Sequence, residues 1–193
     1  MLSFNDSLKI LKETNALLEG HFILSSGLHS DKYVQCAQLL SKPEKAKQIC
    51  ISLSEKIKEN FKKIDLILSP AIGGIVIGYE IGRILNIETI FSERVNNNFV
   101  LRRDFKIKEN QKVLIIEDVI TTGKSSLECS NLVVKSNAEI LGYACLIDRS
   151  GGKSKIKNKI VSQVELKIET YEKDNIPERL RKIKPIKPGS RNL

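Results

Sequence analysis

Apolar and polar positions along this chain follow two rhythms, and the changes between them mark out its elements. From residue 5 to 18 apolar side chains recur at helical spacing (Leu8, Leu11, Leu17, Leu18), with Gly20 as the stop. Residues 21–35 hold two short extended pieces around Ser26 and Gly27, which predicts a strand, a turn and a strand outside the main sheet. Pro43 opens a helix that runs to about Asn60. Asp65–Ser69 reads as a buried strand, 70–74 as a loop, Ile75–Leu85 as a helix and Glu88–Ser92 as a strand. Asn96, Asn97 and Asn98 give a turn signal inside 93–105, predicting a hairpin or a flexible loop. The rest reads as a strand from Val113, a helix Ser125–Lys135, a strand Glu139–Ile147, a polar turn 148–152 and an edge strand Val161–Ile168.

Strands alternating with helices indicate an α/β fold on a doubly wound, mainly parallel sheet. Ligands of such sheets bind outside the carboxyl ends of the strands. The loops 70–74, 117–125 and 148–152 all follow strands, so they can converge on one crevice. The middle loop is the most informative. Four apolar residues, Val113 to Ile116, run into Glu117 and Asp118, then Val119, Ile120 and the turn Thr121, Thr122, Gly123, Lys124 and Ser125. A small, hydroxyl-rich turn between strand and helix offers free N–H groups and a helix dipole to a phosphate. The acid pair before it suits the hydroxyls of a sugar carrying that phosphate.

Two other phosphate motifs are excluded. A Walker loop needs glycine where this chain has Asp118, and a carboxylate there would repel a triphosphate. The dinucleotide fingerprint is absent, because Gly73, Gly74 and Gly78 have the wrong spacing.

The 193 residues fit one domain with a substantial core, and 41% of them are hydrophobic. No apolar stretch is long enough to cross a bilayer, and the opening residues lack the basic and apolar regions of a signal peptide. Cys36, Cys50, Cys129 and Cys145 are scattered, which suits core thiols in a reducing compartment better than disulfides or a zinc site. A cytoplasmic protein is expected, with no membrane partner. The net charge of +9 comes mostly from lysines spread along the chain, including 153–159 and the tail after Glu178. That distribution predicts a solvated surface that helps to recruit an anionic substrate, with no nucleic-acid partner.

The pattern acid-acid-x-x-Thr-x-Gly-x-Ser over 117–125 resembles the phosphoribosyl-diphosphate (PRPP) motif of type I phosphoribosyltransferases. Together with His21-Phe-x-Leu-x-Ser-Gly-x-x-Ser30, Pro70-Ala-x-x-Gly74, Asp148-Arg149 and the ending Pro185 to Arg191, it resembles the orotate phosphoribosyltransferases over nearly the whole chain. The resemblance implies one phosphoribosyltransferase domain over 1–193: a small N-terminal hood of about 1–40, a core of about 41–170 and a tail, 171–193. It implies transfer of ribose 5-phosphate from PRPP to N1 of orotate, with magnesium carried by PRPP and no metal bound directly by the protein. It also implies a homodimer with shared active sites. By motif position Glu117 and Asp118 meet the ribose hydroxyls, and Val119 to Ser125 (Val119, Ile120, Thr121, Thr122, Gly123, Lys124, Ser125) bind PRPP. Thr121 and Arg149 touch orotate, and Arg94 supplies a catalytic cation to PRPP. His21 and His29 fall in the hood as packing or hydrogen-bonding residues, and Tyr33 lies beside the base.

This chain departs from the family pattern in four places. Many orotate enzymes carry lysines where it has Ser25 and Gly73, and Lys and His in the loop that here reads Arg94 to Arg103, with Arg102 or Arg103 as further cations. A Cys-Pro-x-Cys segment common in one branch is replaced by Ile176-Pro-Glu-Arg179, so no structural metal is expected. Two alternatives stay open: transfer to another nucleobase, or a PRPP-sensing regulator that binds nucleic acid.

Overall fold

The computed structural model describes residues 1–24 and 26–188. Ser25 and the end of the family-like tail, 189–191, lie outside the described residues. In chain order the elements are α1 (Phe4–Glu13), β1 (Leu17–Ile23), β2 (His29–Val34), α2 (Cys36–Leu40), α3 (Pro43–Asn60), β3 (Leu66–Pro70), α4 (Gly73–Leu85), β4 (Thr89–Val95), β5 (Asn98–Leu101), β6 (Lys112–Ile120), α5 (Lys124–Lys135), β7 (Glu139–Asp148), β8 (Ile160–Glu165), β9 (Thr170–Tyr171) and α6 (Glu178–Arg181).

Six strands form the main sheet in the order β5-β4-β3-β6-β7-β8. All neighbours are parallel except β4 and β5, which form the asparagine-turn hairpin. The order reverses between β3 and β6: later strands go outward on one side to β5 and on the other to β8. That reversal opens a crevice beyond the carboxyl ends of β3 and β6.

Strand alternation assigns the two faces. Leu114 and Ile116 of β6 pack with Ile49, Leu53 and Ile57 of α3 and Ile77 and Ile81 of α4. Val113 and Ile115 pack on the opposite face with Cys129 and Val133 of α5 and with Tyr143 and Cys145 of β7. Each fully buried Leu or Ile of these layers stabilises the fold by roughly 1.5–3 kcal/mol. All four cysteines are free and buried within the layers, and no helix among the described residues is long and apolar enough to cross a membrane.

The first helix is shorter than its pattern predicts. Ser3 and Asp6 close a capping box at its start. At its end Thr14 Oγ1 donates back to the Ile10 carbonyl, and Asn15 turns left-handed at φ 58°. Asparagine tolerates that conformation, which ends helices, so Leu17 and Leu18 belong to β1 instead of a longer helix.

The hood is a small antiparallel sheet, β1-β2-β9, and its third strand comes from the far end of the chain. The tail follows it back: the Ile186 N–H donates to the His21 carbonyl at 2.8 Å and its carbonyl accepts from the Ile23 N–H at 2.9 Å. His21 and His29 are buried and share a 2.7 Å hydrogen bond, while Nδ1 of His21 lies 2.9 Å from the Ile183 carbonyl. His21 therefore ties hood to tail, and His29 holds its ring from within the hood.

Candidate functional site

Glu117 and Asp118 are neighbours in β6, and strand alternation sends them to opposite faces of the sheet. Glu117 continues the Val113–Ile115 series and meets α5, where the buried Ser126 hydroxyl donates to its Oε2 in a short contact. Asp118 continues the Leu114–Ile116 series and meets the start of α4. A Cβ placed on Gly73 would lie 2.7 Å from Oδ1 of Asp118. The acid pair thus straddles the end of the sheet, with one carboxylate against each helix that flanks the crevice.

Both helices begin without a side-chain cap. Residue 72 precedes α4 and Gly123 precedes α5, and neither receives a capping hydrogen bond from a side chain. The Lys124 N–H donates to the Thr122 hydroxyl at 3.3 Å and the Ile75 N–H to the Ile72 carbonyl at 3.2 Å. The other N–H groups of the two first turns are left for a ligand, and the helix dipoles favour an anion. Gly123 sits at φ 77°, and a Cβ there would also press to 2.8 Å from Ile156, so the turn requires glycine on both counts. The peptide between Ala71 and Ile72 is cis.

The carboxylates are poorly solvated. Burial raises Glu117 from its ordinary value to about 7, with Asp118 adding to the rise and the Ser126 hydrogen bond opposing it. Burial raises Asp118 too, opposed by the Val119 N–H that donates to its Oδ1 at 2.9 Å. Among the described residues no group of three or more His, Cys, Asp and Glu is placed to hold a metal ion.

Arg149 follows β7, and its N–H donates to the Ile120 carbonyl at 2.8 Å, which fastens the third loop beside the acid strand. Its side chain is half-buried and its Nε is buried with no hydrogen-bond partner. Burial holds the guanidinium below its ordinary value, with Cys36 and Tyr33 acting in the other direction. Cys36 in turn directs its thiol to the Asp118 carbonyl at 3.8 Å. Tyr33 and Cys36, at the hood's exit into α2, therefore border the same end of the crevice as Arg149 and Asp118.

The turn residues are arranged for backbone binding. Thr121 and Thr122 are exposed, Ser125 is half-buried, and the Thr122 carbonyl accepts the Lys155 N–H at 3.1 Å. Ile120 is buried and Val119 half-buried, so these two support the turn more than they face solvent. The Lys124 side chain is 80% exposed and lies 3.8 Å from Glu128. Arg94, on β4, is also engaged by Glu128, at 2.6 Å, while its guanidinium stacks 4.2 Å over Phe99. Arg102 and Arg103 both pair with Glu93. The hairpin's cations are thus held by its own and α5's acids.

The sequence reading passed over Ser126, Cys36 and the approach of Gly73 to Asp118. Strand period alone separates Glu117 from Asp118 by face, and it points each acid toward one helix.

Comparison with known proteins gives the family. The phosphoribosyl transferase domain family matches residues 37–177. A protein of Parvibaculum lavamentivorans named orotate phosphoribosyltransferase is 44% identical over 192 residues, covering 97% of this chain and 99% of its own. One of the same name from Caldicellulosiruptor saccharolyticus is 46% identical over 186 residues, covering 96% of each. Among solved structures, orotate phosphoribosyltransferase from Aeropyrum pernix superposes with a TM-score of 0.73 at 23% identity, over 82% of this chain and 93% of that one. An adenine phosphoribosyltransferase from Thermoanaerobacter pseudethanolicus reaches 0.59 at 17% identity, over 70% and 88%. The fold is shared by enzymes named for different bases, so fold alone does not choose the base.

Proposed function

The chain belongs to the phosphoribosyl transferase family, among its orotate phosphoribosyltransferases, and from that premise we propose that it makes orotidine 5′-monophosphate for pyrimidine biosynthesis. The bond between C1 of PRPP and its diphosphate oxygen breaks, and a bond from C1 to N1 of deprotonated orotate forms. The observation that carries the proposal is the acid pair at the topological switch, flanked by two helix starts and by Arg149.

Each group has a role that follows from its placement. Glu117 and Asp118 accept hydrogen bonds from the ribose hydroxyls on two sides of the sheet end. The N–H groups and hydroxyls of Thr121 to Ser125 hold the 5-phosphate at the start of α5. The start of α4 receives the diphosphate, where Gly73 and Gly74 let the backbone approach closely. Arg149, with an unpartnered Nε, offers its planar fork to the anionic edge of orotate, and Thr121 completes that pocket with Tyr33 beside it. Arg94 becomes available to the diphosphate when it leaves Glu128. Positive charge develops at C1 as diphosphate departs, and the protein's task is to position both partners and stabilise that charge.

Magnesium would be carried in by PRPP, as the family resemblance implies, with Glu117 and Asp118 as the carboxylates beside it. Its chemistry would be to neutralise the departing diphosphate. Ile72, Val76 and Tyr79, exposed by 86%, 51% and 66%, form an apolar stripe along one side of α4. That stripe supports a homodimer, which would bring a second copy against the diphosphate end of the site. Four buried free thiols fit a reducing cytoplasm.

Incubation of the protein with PRPP, magnesium and orotate should consume orotate absorbance, and adenine or uracil should not substitute. No turnover across several pH values and divalent metals refutes the proposal. Turnover with another base alone moves the activity to that base.

A further inference from the structure

We propose that Ser126, one residue beyond the phosphate-turn motif, is a positioning residue that fixes the Glu117 carboxylate toward the donor sugar. The inference rests on the crevice being the PRPP site. Ser126 is fully buried in the first turn of α5. Buried serines in helices usually turn back to a carbonyl of the preceding turn. This one instead gives its O–H to Oε2 of Glu117, across from helix to strand.

The surroundings of Glu117 explain why that donor matters. On its own strand the neighbouring charge is Asp118, which opposes ionisation. From α5 the titratable group is the Cys129 thiol, and from β7 it is Cys145, the register partner of Glu117. Among the described residues no lysine, arginine or histidine figures among the groups acting on Glu117. Burial drives its carboxyl toward the neutral form, and the Ser126 hydroxyl alone opposes this.

An ionised carboxylate is an acceptor on both oxygens, while a protonated one surrenders part of that capacity. With Oε2 claimed by Ser126, Oε1 is the oxygen left for a sugar hydroxyl. Ser126 therefore does two things through one hydrogen bond: it favours the accepting charge state and it aims the free oxygen. Glutamate is a longer side chain than the aspartate beside it, with more rotamers to restrain.

Two measurements test this. The first follows kcat/KM for PRPP against pH in the wild type, Ser126→Ala and Ser126→Thr. In Ser126→Ala the acid limb should move upward by on the order of one pH unit. KM for PRPP near neutral pH should rise on the order of tenfold, and the two proteins should converge at alkaline pH. Ser126→Thr, which keeps the hydroxyl, should restore the wild-type profile. A loss of equal size at every pH, or an unmoved profile, overturns the inference. The second follows the Glu117 carboxyl carbon by NMR titration, which needs no turnover. Its midpoint should rise in Ser126→Ala and return in Ser126→Thr, and an unchanged midpoint overturns the inference even if the transferase proposal itself fails. Wild-type inactivity would count against that proposal alone.

Discussion

Replacing Gly73 by alanine should damage PRPP use through Asp118 while leaving the fold intact. The new methyl would sit 2.7 Å from Oδ1 of Asp118 and 2.8 Å from its Cγ and Oδ2, about 0.7 Å inside the 3.4 Å at which ordinary contact begins. Either the 70–74 loop withdraws or the carboxylate turns. Turning it breaks the 2.9 Å bond from the Val119 N–H, and a hydrogen bond to a charged acceptor contributes about 1.5–3 kcal/mol. Withdrawal of the loop by a similar distance removes the start of α4 from the diphosphate, and misplacement on that scale costs up to about 10²-fold in rate. Both routes lead to a fall of roughly 10–100-fold in kcat/KM for PRPP. Stability should fall by no more than about 2 kcal/mol, a shift of a few degrees in the melt, because alanine's lower conformational entropy in the unfolded chain offsets part of the clash. Initial rates of orotate consumption at varied PRPP, read beside a thermal melt, check the prediction. Gly151→Ala, at an exposed turn where a Cβ meets nothing within 4 Å, is the control. Unchanged PRPP kinetics in a folded Gly73→Ala protein would refute the coupling of loop and acid.

Other perturbations separate the remaining roles. Glu117 titrates near 7 in the folded protein against an ordinary 4.5, so folding takes up a proton between those values and stability falls as pH rises through that window. Its ionised form costs about 3 kcal/mol above pH 7. Glu117→Gln should therefore raise the melting temperature at pH 8, lose that advantage below pH 5, and abolish transfer; equal melting shifts at both pH values contradict the assignment. Arg149→Ala should raise KM for orotate by tenfold or more (roughly, from loss of a charged hydrogen bond) with little effect on PRPP, and Arg149→Lys should not restore it. An unchanged KM for orotate removes Arg149 from the base pocket. Tyr79→Glu should convert the protein to a monomer by light scattering and lower its activity, whereas an unaltered mass shows that the stripe on α4 is not the dimer contact.

How much of this was legible beforehand depends on the range of the interactions involved. The α/β order, the 43–60 helix and the asparagine hairpin were readable because each rests on local periodicity or turn chemistry. The end of α1 was misread because Leu17 and Leu18 continue a helical spacing, while Asn15, the residue that breaks it, is a weaker stop signal than glycine. The pairing of β9 with β2 was invisible: the contact of Thr170 with Ser30 joins distant parts of the chain through backbone groups that carry no sequence signature. At the site, the acid pair and the turn were evident from residue types. Their division between two helices follows from strand alternation, yet the partners Ser126 and Gly73 emerge only once β3 and β6 lie side by side. The engagement of Arg94 by Glu128 belongs to the same class, since it depends on the hairpin lying against α5.

Transfer depends on the acid pair gripping the activated sugar. Isothermal titration of PRPP with magnesium into the wild type and Asp118→Asn tests this most directly. Saturable binding in the wild type, weakened at least tenfold in the variant (about 1.4 kcal/mol) with an unaltered melt, is the predicted result. Equal affinity in both proteins, or no heat of binding in the wild type at any magnesium concentration, would contradict it.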